Sequence, residues 1–131
     1  MSSFTNYTEN LVLTWLLTTG SATRPTAWYV GLFTAAPSDA GGGTEVSGNA
    51  YARKATGTIT VSGTDTTATN SAAIEFDPAS GGNWGTITHA AIFDAETSGN
   101  MIAWAQLTTA RTINDGDVFR IPATSLTVTL T

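Results

Sequence analysis

The sequence predicts a mainly β fold, an antiparallel β-sandwich or small barrel of about 7–8 strands with one N-terminal amphipathic α-helix. Three observations predict it. Threonine occurs 26 times, and this β-branched residue suits pleated strands while giving them a neutral polar outer face. Short runs of alternating apolar and polar residues recur between clusters of Gly, Asn, Asp and Pro, the pattern of strands separated by turns. Convincing helical spacing occurs once, within Ser2 to Gly20. A chain of 131 residues fits a single domain, residues 1–131, with one ordinary core.

The densest apolar run, Thr26 to Pro37, is the expected central strand. Alternation puts Trp28, Val30 and Leu32 on one face and Tyr29 and Phe33 on the other, with Gly31 leaving a gap between the two rings. Apolar residues on both sides predict burial on both faces.

The predicted helix, about residues 5–19, starts with Asn6 as cap and Glu9 completing a capping box. Leu11, Val12, Trp15 and Leu16 form its apolar stripe, expected to cover one face of the Trp28 strand. Gly20 stands where a left-handed terminating residue is wanted. Residues 38–49 hold Gly41, Gly42, Gly43 and Gly48 without periodicity and read as a long, mobile glycine-rich loop, either solvent-exposed slack or a segment that orders against a neighbouring subunit. No Gly-Lys-Ser/Thr follows those glycines, so they form no phosphate cradle.

Strand character resumes at Gly57 to Gly63, with Ile59 and Val61 on an inward face, and a polar turn follows at residues 64–67. Ala72, Ile74 and Phe76 share the next face before Asp77 to Asn83 breaks the pattern. Residues 84–107 read as one antiparallel hairpin with a polar turn from Ala95 to Asn100. Asn114 to Asp117 marks another turn, and Leu126, Val128 and Leu130 alternate strictly with threonine in the closing strand.

Ten acidic and five basic residues give a net charge of −5. Five scattered cations do not build a patch able to release counterions, so no direct contact with nucleic acid is expected. Cysteine is absent, which removes disulfides, thiolate metal sites and thiol nucleophiles. The longest apolar segment, Leu11 to Leu17, is too short to span a bilayer and no basic leader precedes it, so a soluble protein without membrane contact is expected.

The residues of catalysis are sparse. His89 is the single histidine, it lies among apolar neighbours, and no Gly-x-Ser-x-Gly elbow accompanies it, so it reads as a structural residue. The carboxylate pairs Glu75/Asp77, Asp94/Glu96 and Asp115/Asp117 are explained by turn geometry. The segment from Asp94 to Gly99 lacks the ligand spacing of a calcium loop. No enzyme activity, cofactor or metal is expected. The candidate interface loops are Gly41, Gly42, Gly43, Glu45, Arg53, Asp77, Asn83 and Trp84. Tyr51 and Trp84, beside glycine-rich turns, are candidates for an exposed glycan platform.

Four blocks in order, Ala22 to Asp39, Glu45 to Arg53, Asn83 to Asp94 and Ile102 to Thr109, resemble a family of small tailed-bacteriophage proteins labelled as tail fibre proteins. The resemblance extends from the helix to the closing Leu-Thr-Val-Thr-Leu strand. It implies a virion component, assembled in the host cytoplasm, and it supplies no catalytic residues. A domain of this size has a radius of gyration of about 14 Å and cannot alone form a fibre shaft. The main expectation is a non-enzymatic capsid decoration or cement protein, a homotrimer that binds neighbouring major capsid subunits. The alternative is a tail fibre or tail-tip appendage, contacting tail proteins and a host-surface glycan.

Overall fold

The structure, a computed structural model, describes residues 2–61, 63, 64 and 66–130. Ser62 and Asp65, read above as strand end and turn, lie outside the described residues, as do Met1 and Thr131. Strand β1 (Ser2–Phe4) leads into helix α1 (Asn6–Leu17), and the central strand β2 (Tyr29–Ala35) follows. The short strands β3 (Thr44–Glu45), β4 (Lys54–Ala55), β5 (Ile59–Val61), β6 (Thr67–Asn70) and β7 (Ile74–Glu75) come next. The long pair β8 (Gly85–Phe93) and β9 (Met101–Ile113) precedes β10 (Arg120–Ile121) and β11 (Thr127–Thr129).

The main sheet runs β1-β9-β8-β2-β3, with β4 also paired to β2; β10 pairs with β7, and β11-β6-β5 form a separate three-stranded sheet. Every pairing is antiparallel. The fold is the predicted mainly β architecture, in open sheets rather than a closed barrel. The eleven strands among the described residues outnumber the expected seven or eight because several are only two or three residues long. At that length alternation leaves no readable pattern.

Strand β2 is the centre of the main sheet, between β8 on one side and β3 and β4 on the other. Its pleat divides the core as predicted. Val30 and Leu32 join the larger cluster with Val46, Ile74, Phe76, Trp84, Ile87, Ile113 and Phe119, while Phe33 faces the other way with Ala91, Phe93 and Met101. Trp28 departs from this pattern: it precedes β2, stands outside both clusters and is 37% exposed.

The helix also departs from expectation. Its N-cap is Thr5, one residue before Asn6, and the Thr5 side chain accepts the Thr8 N–H. Thr5 and Thr8 hydroxyls donate to the carbonyls of Met101 and Ile102 at the start of β9, so hydroxyls anchor the helix at the sheet edge. The apolar stripe does not cover β2: Trp15 is 69% and Leu16 62% exposed. Both faces of β2 are already occupied, one by the larger cluster and the other by Phe93 and the Glu45 side chain. Gly20 is not left-handed; instead Thr18 closes the helix, its hydroxyl donating to Thr14 O and accepting Gly20 N–H.

The glycine-rich segment 38–49 is built rather than structureless. A Ser38/Gly41 bridge forms its turn and β3 returns along β2. Gly43 requires glycine, since its φ is +76° and a Cβ there would lie 2.7 Å from Pro37 N. Ile59 and Val61, expected inward, are exposed, Val61 by 61%. Strict alternation identifies a two-faced strand without identifying what covers either face.

Candidate functional site

The gap at Gly31 organises one end of the molecule. A Cβ on Gly31 would lie 2.8 Å from Glu45 Oε2 and 2.9 Å from the Phe93 ring, so the absent side chain is what admits both groups to this face. Glu45, carried over Phe33 by the β2/β3 pairing, accepts from Arg53 Nε at 2.8 Å and Arg53 Nη2 at 2.8 Å. This fork on a carboxylate is the strong form of ion pair. Arg53 also lies 3.4 Å above the Phe93 ring centroid and donates to the carbonyls of Ala95 and Ser98 in the β8/β9 turn.

Tyr51 joins this clamp to the larger core. Its hydroxyl donates to Glu45 Oε2 at 2.7 Å and accepts the Leu32 N–H at 2.9 Å. Burial, with the adjacent Glu45 carboxylate and against the opposing Leu32 N–H, pushes the phenol pKa far above its ordinary value. The Tyr51 ring meets Trp84 edge-on at 5.3 Å, and Trp84 meets Phe76 at 6.3 Å. The Trp84 indole N–H donates to Asn49 O, which satisfies its polar atom inside the core.

These contacts bear on two site expectations. Trp84 is only 6% exposed, so Tyr51 and Trp84 form no glycan platform. The Arg53 side chain is 9% exposed and the Glu45 side chain 23%, so this pair is largely engaged within the domain, where it lines the same cleft as Gly41, Gly42 and Gly43. Polar flanks, Gly-Gly-Asn before Trp84 and Asn-Ala before Tyr51, made buried aromatics look like surface ones.

The other candidates stay at the surface in two separate places. Gly41, Gly42 and Gly43 rim a cleft of about 580 Å³ that Asn6, Asp39 and Asn100 also line. Asp39 fixes that rim to its own domain, its carbonyl accepting Asn6 N–H and its carboxylate accepting Trp104 indole N–H. Asp77 is exposed and lies 3.5 Å from Lys54. The Asn83 side chain accepts Asp115 N–H and its carbonyl accepts from the Asn49 side chain.

Of the remaining carboxylates, Asp94 and Asp117 do turn work, whereas Glu75 in β7 lies 4.0 Å from Arg120. Asp94 accepts Asn100 N–H and side-chain N–H, and Asp117 accepts Asn114 N–H. His89 shares a 2.8 Å hydrogen bond with Thr88, and its ring centroid lies 6.0 Å from that of Trp104. Among the described residues, no buried side-chain polar atom lacks a partner, no cluster of three potential metal ligands occurs, and no helix is long and apolar enough to cross a membrane.

The open surface is apolar, and it includes Val12, Trp15 and Leu16 of the stripe expected to cover the Trp28 strand. On α1, Val12, Leu13, Trp15, Leu16 and Leu17 are all exposed, Leu17 by 72%. Beside the helix, the space between the main sheet and the three-stranded sheet is a groove of about 700 Å³. Phe4, Trp28, Ile92 and Ile102 line one wall and Ile59, Leu126 and Val128 the other. Trp28 and Ile102 also line a second hollow that runs against Leu11, Val12 and Trp15 of α1.

Among the described residues the buried polar side-chain atoms are all partnered, and the open surface is apolar along α1. A family model described as the podophage GP4 fiber I protein gp80 matches residues 3–129. The chain belongs to that family and is a phage structural protein of fibre type. No curated protein matches it.

Proposed function

We propose that the protein is a non-enzymatic tail-fibre component of a bacteriophage virion, and that it works by assembly. The observation that carries this reading is the family match across residues 3–129. It favours a fibre over the capsid decoration expected from size and composition. A domain with a radius of gyration of about 14 Å is one module of such a fibre, with tail proteins and further copies of itself as partners. The exposed apolar end of the helix supports the reading, because Val12, Leu13, Trp15, Leu16 and Leu17 leave open an apolar patch of the kind that marks an interaction site. The cleft rim formed by Gly41, Gly42 and Gly43 is the surface we assign to contacts with the host or with neighbouring tail proteins, since Trp84 is buried and Tyr51 is packed against it.

Gold-labelled antibodies against the chain, applied to intact particles, test the location. Label at the tail is the expected result. Label distributed over the head would overturn the fibre reading in favour of capsid decoration.

A further inference from the structure

The cleft beside the glycine rim gathers hydrogen-bonding groups that the fold leaves unused. In the first turn of α1, Asn6 N–H donates to Asp39 O, Thr8 N–H to the Thr5 hydroxyl and Glu9 N–H to Thr5 O. Tyr7 N–H, between them, has no acceptor among the described residues, and neither has Gly42 N–H across the cleft. The Asn6 side chain is exposed at the same opening. Acceptors stand with these donors: Asp39 spends Oδ1 on the Trp104 indole and keeps Oδ2, while Asn100 spends its side-chain N–H on Asp94 and keeps Oδ1.

The charges are arranged against an ionic ligand. Arg53 gives Nε and Nη2 to Glu45 and Nη1 to two carbonyls, so it offers no fork to an anion and leaves Glu45 neutralised. Asp39 adjoins the positive end of α1 through its own carbonyl, which offsets its charge toward a cation and still repels an anion.

We propose that this cleft binds a neutral saccharide of one or two residues. A sugar hydroxyl both donates and accepts, so a ring of hydroxyls matches a mixed set of donors and acceptors. The volume of about 580 Å³ lies within the range of small-ligand sites, roughly 300–1,000 Å³. Half-buried Tyr7 and the buried Met101 give the wall an apolar part for the C–H face of the sugar. The rim is also set in advance by the Ser38/Gly41 bridge and the two bonds of Asp39, so little ordering is lost when a ligand enters. The inference rests on the assignment of this rim to outside contacts and gives that contact a chemistry.

Amide NMR of the isotope-labelled full-length chain tests it. Glucose, galactose, mannose, rhamnose, N-acetylglucosamine and N-acetylgalactosamine are titrated separately, with glucuronate, glucosamine and the capped peptide acetyl-Ser-Asn-Thr-amide as counterparts. The expected result is that a neutral sugar shifts the Tyr7, Gly42 and Asn100 amides saturably in the millimolar range, and the three counterparts shift them more weakly. Asn6→Ala should weaken that sugar about three- to tenfold, the worth of one hydrogen bond, and Arg111→Ala, outside the cleft, should bind it as the wild type does. Absence of cleft shifts with every neutral sugar would overturn the proposal, as would unchanged binding by an Asn6→Ala chain whose spectrum is otherwise that of the wild type. A charged sugar binding as tightly as the neutral ones would also overturn it, and equal binding of the peptide would assign the cleft to a protein neighbour instead. None of these results bears on the gold-labelling test, which locates the chain in the particle whatever the cleft binds.

Discussion

Arg53 holds Glu45 in a two-bonded fork at 2.8 Å, directly over the space that Gly31 leaves open. The pair ties three parts of the chain together: β3 through Glu45, the segment before β4 through Arg53, and the β8/β9 turn through the carbonyls of Ala95 and Ser98. Removing one partner of a mostly buried ion pair leaves an uncompensated charge, so Arg53→Ala is expected to cost about 3 kcal/mol. Arg53→Lys recovers little of this, because an ammonium cannot reproduce the fork while lying flat on Phe93. Urea unfolding of Arg53→Ala, Arg53→Lys, Glu45→Ala and Glu45→Ala/Arg53→Ala checks this, the double variant being less destabilised than the two alanine effects added together.

Gly31→Ala tests why the clamp fits. Its new methyl would enter the space of Glu45 Oε2 and the Phe93 ring, and both are held by Arg53, so neither yields freely. A loss of about 1–3 kcal/mol is expected from overpacking. Gly42→Ala is the contrast: no atom lies within 4 Å of its Cβ, and the penalty comes only from a φ of +80°, about 1 kcal/mol. Thermal unfolding of the two variants side by side distinguishes packing from backbone strain.

Tyr51 makes stability fall in alkali. Its folded-state pKa is raised, so above the ordinary tyrosine value of about 10 the unfolded chain loses a proton that the folded chain keeps. The contribution is fully present below that pH and declines above it, with a slope of about 1.4 kcal/mol per pH unit. Tyr51→Phe keeps the ring against Trp84 and Phe76 and removes this one proton. Its unfolding free energy should fall less steeply than that of the wild type above about pH 10, as urea titrations on either side of that value would report.

Thr5 is a helix cap that also secures the helix to the sheet. Thr5→Val keeps the shape while removing the acceptor for Thr8 N–H and the donor to Met101 O. A cost of about 1–2 kcal/mol is expected. Amide exchange should quicken in α1 before it quickens in β8 or β9, since the lost bonds are those at the helix base.

The two halves of this molecule differed in how far they could be read. The β8/β9 hairpin and the opposite faces of Val30 and Phe33 were legible because long strands carry period-two patterns and the turn residues lie between them. The helix was legible in extent, with its cap displaced from Asn6 to Thr5 because Thr and Asn are both good capping residues and stand side by side. Its orientation was not legible: Trp15 and Leu16 look like core residues in sequence whether their cover lies in the same chain or another. The same ambiguity hid the exposure of Ile59 and Val61. The Glu45/Arg53 fork depended on strand pairing that brings residues eight apart to one gap. A scarcity of charge in the chain, with an acid and an arginine both flanking short strands, was its only sequence signal.

The central claim is that the apolar outer stripe of α1 serves assembly while the clamp and the core hold the fold. Incorporation of Leu13→Gln/Leu16→Gln/Leu17→Gln into phage particles, measured by quantitative immunoblotting of purified virions alongside the thermal unfolding of the isolated variant, tests it most directly. The account predicts an unfolding midpoint close to that of the wild type, with the variant largely missing from particles. Incorporation at the wild-type level would contradict it.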